Sequence, residues 1–201
     1  MQAVVFDVGN VLLDWQPHLL YDKLIADDAE RAAFLRDVVT KEWHFQHDAG
    51  RPFAETSAEL IALHPHYRDE IAAWGPRFLE TAPDLVEGMV DLVADLAAAN
   101  VPLYAITNFS HEFWPPLIER EAVLFAPFRD IVVSGVERLV KPDPAIYQLG
   151  LERFGLAPGE ALFVDDRLDN VEAAEANGFL GHRFIDASEL RAQLTELRLL
   201  D

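Results

Sequence analysis

The run Val4-Val5-Phe6, followed at once by Asp7 and then by the turn-forming pair Gly9-Asn10, limits what this chain can become more than any other stretch. Three uninterrupted β-formers read as a strand buried on both faces, the kind found inside parallel sheets. The turn signal places Asp7 at the carboxyl end of that strand. In an open parallel α/β sheet the crevice beyond the strand ends is where ligands bind, so a carboxylate there is positioned for chemistry. Asp is also a common strand-ending or turn-capping residue, and this stretch alone leaves both roles open.

After Trp15 the period changes. From His18 to Asn100 apolar residues recur at three- and four-residue intervals, as in Leu19, Leu20, Leu24 and Ile25 and again in Phe34, Leu35, Val38 and Val39. Breaks at Asp27-Asp28, Asp48-Ala49-Gly50-Arg51-Pro52, His64-Pro65, Gly75-Pro76 and Ala82-Pro83 divide this block into amphipathic helices. A helix over 84–99 leads back to the main domain. From Val101 strands and helices alternate, with strand runs at 101–106, 131–134, 161–164 and 182–185. Helices are predicted over 145–154, capped by Asp143 with Pro144 at the first position, over 168–176, stopping at Asn177-Gly178, and after Asp186 or Ser188. The alternation, with right-handed crossovers, predicts an α/β fold: a doubly wound parallel sheet built from residues 1–15 and 83–201, with an inserted α-helical cap over residues 16–82. A length of 201 residues suits one domain plus such an insertion.

Three predicted strand ends then bring polar groups to one edge of the sheet: Asp7, Thr107-Asn108 and Asp165-Asp166. Lys141 enters a helix on the same side. Each alone reads equally well as a cap or turn residue; their convergence points to a site. Adjacent carboxylates near a third raise one another's pKa unless a cation compensates, and carboxylates with water and phosphate oxygens are the donor set that Mg²⁺ prefers. The chain has no cysteine, so thiolate and disulfide chemistry are excluded. A formal net charge of -19 repels phosphate backbones and anionic membranes, so neither nucleic acid nor a membrane surface is an expected partner. The sequence opens into its first strand without a basic or cleavable apolar leader, and the simplest expectation is a cytoplasmic protein. Oligomeric state leaves no signature in helices of this kind.

These motifs resemble the haloacid dehalogenase-like hydrolase superfamily, in the branch with a helical cap of the C1 type after the first strand. Asp7 matches the family's nucleophile, Thr107 its phosphate-binding Thr or Ser, Lys141 its Lys, and Asp165-Asp166 with Asn170 its acidic metal motif. Asp7-Val8-Gly9-Asn10-Val11 and Val164-Asp165-Asp166-Arg167-Leu168-Asp169-Asn170 in particular are similar to members that act on glucose 1-phosphate. The resemblance implies a phosphatase for a small phosphorylated metabolite, with an aspartyl-phosphate formed on Asp7 and then hydrolysed. It also implies Mg²⁺ held by Asp7, the Gly9 carbonyl and Asp166, oriented from outside by Asp165 and Asn170. Lys141 would neutralise phosphate and nucleophile, while Thr107 and the backbone N–H groups of Asn10 and Asn108 would bind phosphoryl oxygens.

One position departs from the pattern. Most phosphatases of this family carry a second Asp two residues after the nucleophile, where it protonates the leaving group and later activates water; here that position is Gly9. A good leaving group, another proton donor, or a catalytically silent protein would each account for the gap. Dehalogenases of the superfamily also lack this Asp, but they work without metal, and Asp165-Asp166 argues against them. In the cap, Trp43 and His44 are assigned to a substrate pocket together with Trp15 from the hinge; Phe45 is assigned to the cap core and His47 to solvent. His111 and Trp114 are similarly placed for a pocket, though helix packing explains Trp114 as well, and Arg167 is read as pairing with an acidic neighbour. A cap in this position is expected to close over substrate.

Overall fold

The computed structural model describes residues 2–201. The elements run β1 (Ala3–Phe6), α1 (His18–Tyr21), α2 (Asp28–Asp37), α3 (Lys41–Asp48), α4 (Phe53–Leu63), α5 (Arg68–Ala73), α6 (Met89–Ala98), β2 (Leu103–Thr107), α7 (Trp114–Arg120), α8 (Ala122–Phe125), β3 (Phe128–Val133), α9 (Ser134–Glu137), α10 (Pro144–Phe154), β4 (Ala161–Asp165), α11 (Leu168–Ala176), β5 (Leu180–Arg183) and α12 (Ala187–Glu196). The five strands form one parallel sheet in the order β3-β2-β1-β4-β5. The chain winds outward from β1 through β2 to β3, then returns to the other side of β1 to add β4 and β5. That reversal opens a crevice at the carboxyl ends of the central strands.

Alternation along the strands sorts the core into two layers. Val4, Phe6, Leu103, Ala105, Leu162 and Val164 pack on one face, in a cluster with Leu92 and Leu96 of α6 and Leu190 and Leu194 of α12. Ala3, Val5, Tyr104, Ile106 and Phe163 face the other way, against Ile146 and Tyr147 of α10 and Ala174 of α11. Burial on both faces is why β1 reads as a continuous apolar run.

Most helix ends fall where the turn and cap residues put them. Asp143 Oδ1 accepts from Ala145 N at the start of α10, and Asp186 Oδ1 accepts from Glu189 N at the start of α12. Several boundaries differ from the sequence reading, and three of them have a visible cause. The return helix starts at Met89 rather than Asp84, because residues 84–86 are extended and pair with the outgoing chain: Asp14 N donates to Asp84 O and Val86 N to Leu12 O, each at 3.0 Å. Strand β3 begins at Phe128 and includes the polar Arg129 and Asp130, which a strand at the sheet edge tolerates. Strand β5 spans Leu180–Arg183, two residues earlier than the apolar pattern suggested, because its register is set by pairing Leu180 with Leu162 and Arg183 with Asp165. None of the described helices is long and apolar enough to cross a membrane.

Candidate active site

Directly after β1 the chain turns tightly. Val8 N donates to Asp7 Oδ1 at 2.6 Å, Leu12 N and Leu13 N both donate to Val8 O, and Asn10 takes a left-handed conformation with φ 57°. Asn tolerates that region better than most residues, which gives Asn10 a backbone reason to stand there. A Cβ at Gly9 would meet nothing within 4 Å, so the absence of a side chain at this position is not forced by packing.

Strands β1, β2 and β4 place Asp7, Thr107 and Asp165 at one edge, as the sequence reading required. Lys141 is buried among them, with Nζ 2.8 Å from Asp7 Oδ1 and 2.6 Å from Asp165 Oδ2. Asp165 is fully enclosed and its oxygens are engaged: Asn170 Nδ2 donates to both, and Arg167 N to Oδ1. It therefore holds Lys141 and Asn170 in place and has little left to offer a ligand. Asn108 performs a role its motif did not announce. Its side chain accepts from Lys141 N at 2.8 Å and donates to Lys141 O at 3.0 Å, clamping the backbone of the lysine segment.

The site carries more negative charge than its own cation balances. Burial pushes the Asp7 carboxyl up to about 7, Asp165 adds to the rise, and Lys141 opposes it. Asp166 is also raised, by burial and then by Asp165. Burial opposes the charge on Lys141, but Asp165 and Asp7 together outweigh it and hold the ammonium above its ordinary value. Ligand atoms of Asp7, Asp165 and Asp166 lie within 4.8 Å of one another. With Asp165 engaged elsewhere, Asp7 and Asp166 are the carboxylates open to a hard cation, a donor set that fits Mg²⁺.

Above this floor lies a cavity of ≈ 380 Å³. Its base includes Asp7, Gly9, Asn10, Asn108, Lys141 and Asp166; its wall includes Trp15, His44, Phe45, Phe78 and Phe109. His44 stacks between Trp15, with ring centroids 5.0 Å apart, and Phe78, at 5.6 Å. Trp15 and His44 thus stand where the sequence reading put them, and Arg167 lines the cavity while pairing with Asp169 at 2.6 Å.

Other assignments change. Trp43 is buried among the helices between β1 and β2, where its indole N–H donates to Thr56 O at 3.2 Å and its ring meets Trp74 and Phe53, so it is not part of the cavity wall. Phe45, expected in the cap core, lines the cavity instead, because it lies on the open side of α3. His47 is fully buried rather than solvated. Thr107 is enclosed beneath the cavity and its hydroxyl has no partner among the described residues. Trp114 packs on Phe109 and Phe125, in agreement with a helix-packing role.

The residue that sequence reasoning passed over is Asp48. It lies within the aromatic-polar stretch of α3, is 6% exposed, and lines the cavity. Its spacing of four from His44 on one helix face was the available signal.

A doubly wound α/β core thus carries a carboxylate–lysine–carboxylate array at its switch point, at the base of a cavity. The chain belongs to the haloacid dehalogenase-like hydrolase family, whose model matches residues 1–178. It is 28% identical over 201 residues to the sesquiterpene phosphatase astK of Aspergillus oryzae, covering 98% of this chain and 96% of that protein. It is 29% identical over 191 residues to a phosphoglycolate phosphatase of Yersinia pseudotuberculosis, covering 89% and 78%. Among solved structures, an enzyme of this family from Bacteroides thetaiotaomicron, in complex with magnesium and inorganic phosphate, superposes with a TM-score of 0.70 at 20% identity over 94% of this chain and 98% of that one.

Proposed function

We propose that this protein is a Mg²⁺-dependent phosphatase that hydrolyses a small phosphorylated metabolite, a sugar phosphate being the leading candidate, through an aspartyl-phosphate on Asp7. The observation that carries this reading is the position of Asp7 at the base of the cavity, 2.8 Å from the buried Lys141 ammonium and beside Asp166. A carboxylate is repelled by a phosphate dianion, so attack needs positive charge on both partners. Lys141 supplies part of it. Asp7, the Gly9 carbonyl and Asp166 would hold Mg²⁺, which supplies the rest by neutralising phosphoryl oxygens. Asp165 and Asn170 would keep the site in shape, and the backbone N–H groups of Asn10 and Asn108, with the unpartnered Thr107 hydroxyl, would receive the phosphate.

The relatives' names include phosphatases of a sesquiterpene and of phosphoglycolate, which supports phosphate-ester hydrolysis while leaving the alcohol open. The cavity volume suits a small alcohol portion, and the rings of Trp15, Phe45 and Phe78 offer it flat apolar surface. Residues 16–82 act as a C1-type cap whose helix α3 roofs the site, on a core of residues 1–15 and 83–201. The test is phosphate release from a panel of phosphate esters with Mg²⁺ and with chelator, for the wild type and Asp7→Asn. Turnover should need the metal and fall by on the order of 10³-fold or more in the variant. Halide release from 2-haloacids that ignores chelator would instead establish a dehalogenase, and binding of phosphate and Mg²⁺ without turnover a silent relative.

A further inference from the structure

We propose that Asp48, at the last turn of α3, is the proton donor to the leaving oxygen and then the base that activates water, in place of the carboxylate missing at Gly9. The proposal rests on the phosphatase reading above. Asp48 reaches the same cavity as Asp7 and Lys141, but from the helical insertion rather than from the nucleophile's own loop. Its Oδ1 is buried and has no hydrogen-bond partner among the described residues. A buried carboxyl oxygen left unpartnered beside a cavity is costly unless a ligand engages it.

The backbone around Asp48 is held to the core. Ser134 Oγ donates to Asp48 O at 2.6 Å and accepts from Phe109 N at 2.9 Å, so one hydroxyl ties α3 to the loop after β2. Gly135 makes that approach possible: a Cβ there would lie 2.6 Å from His111 N, 2.8 Å from Phe109 O and 3.2 Å from His47 O. On its other side Asp48 Oδ2 lies 3.6 Å from His44 Nε2, and His44 is itself fixed between Trp15 and Phe78.

The electrostatics point the same way. Burial, and then the charge of Asp7, raise the Asp48 carboxyl well above the ordinary range, with Lys141 opposing, which is the direction a proton donor needs. His44 is driven down to about 3 by burial and by His47 and is neutral there. The ring beside Asp48 is therefore a neutral imidazole, not an imidazolium. This removes His44 as a donor. Arg167 is paired with Asp169 and does not release a proton, and Asp166 lies in the acidic cluster with the nucleophile.

In the first step an Asp7 oxygen attacks phosphorus and the P–O bond to the alcohol breaks. The bond's electron pair stays on the departing oxygen, which takes the Asp48 proton and leaves as ROH. In the second step water attacks the phosphoryl group and gives one proton back to Asp48. The P–O bond to Asp7 breaks, its pair restoring the carboxylate, and inorganic phosphate leaves. Asp48 ends protonated, as it began.

The test compares p-nitrophenyl phosphate, whose leaving group departs as a stable anion, with the sugar phosphate hydrolysed best, using wild type, Asp48→Asn and Asp48→Glu. For Asp48→Asn, kcat on the sugar phosphate should drop by about 10²–10⁴-fold more than the rate of p-nitrophenolate release in the first turnover. Acid-quenched Asp48→Asn given p-nitrophenyl phosphate should contain phosphorylated protein by mass spectrometry, because the second step has lost its base. Asp48→Glu should recover part of the sugar-phosphate rate. Because both substrates are read on one preparation, a partly unfolded variant lowers both rates and leaves their ratio unchanged. An unchanged ratio without trapped phosphoenzyme would overturn the proposal. Wild type that turns over p-nitrophenyl phosphate but no alkyl phosphate would overturn it too, while wild type inert to both would overturn the phosphatase reading itself.

Discussion

His47 Nε2 lies 2.7 Å from Thr56 Oγ1, and that hydroxyl points to Phe53 O at 3.2 Å, so the imidazole is the donor in a buried neutral pair. Burial, and then Arg51, hold its pKa down to about 4. An unfolded chain would take up a proton on this ring below about 6.5. The stability contributed by neutral His47 is thus complete above that pH and is lost as pH falls toward about 4. His47→Gln keeps a donor but cannot titrate. Its deficit against wild type in urea-unfolding free energy should shrink by about 2 kcal/mol between pH 7.5 and 5; a constant gap would show that His47 titrates in the folded protein as it does in the unfolded chain. The same burial explains which site residues were readable. Asp7, Lys141 and Asp165 were marked by their place at strand ends or before a helix, a local pattern. Asp48 ends a helix like many solvated acids, and only the packing of α3 over the sheet encloses it.

At the scale of elements, α3 and α9 decide how the roof meets the floor. The Ser134 hydroxyl bridges Asp48 O and Phe109 N in a buried position, and no other described side chain joins these two backbone groups. Ser134→Ala leaves both backbone groups short of a partner and should cost about 1–3 kcal/mol in chemical denaturation. It should also lower turnover, because the α3 terminus loses its anchor; a variant with wild-type stability would mean that water replaces the hydroxyl without cost. The helices themselves were legible from their breaks, since turn and cap residues act locally. The start of α6 was not. Residues 84–86 continue the apolar pattern, yet pairing across the hinge with residues 12–14 keeps them extended.

At the scale of the whole molecule, 35 acidic residues face 16 basic ones, so surface pairing exhausts the cations long before the anions. The unpaired remainder repels itself in the compact state. Raising NaCl from about 0.05 to 0.5 M at pH 7 shortens the Debye length from about 14 to 4 Å and should stabilise the fold by about 1 kcal/mol, read as a higher Tm. A lower Tm would mean that the surface ion pairs outweigh the net repulsion. The sequence by itself determined the sheet's central strands, the run of helices between β1 and β2 and the acidic edge, because buried parallel strands and helix caps are written in short-range patterns. The tertiary structure decided which side chains share the cavity. It moved Trp43 inward and Phe45 outward, and it brought Asp48 over Asp7 from 41 residues away along the chain. Such meetings depend on how helices pack across the sheet's switch point, where close approach at Gly135 and burial of charge act between residues distant in sequence.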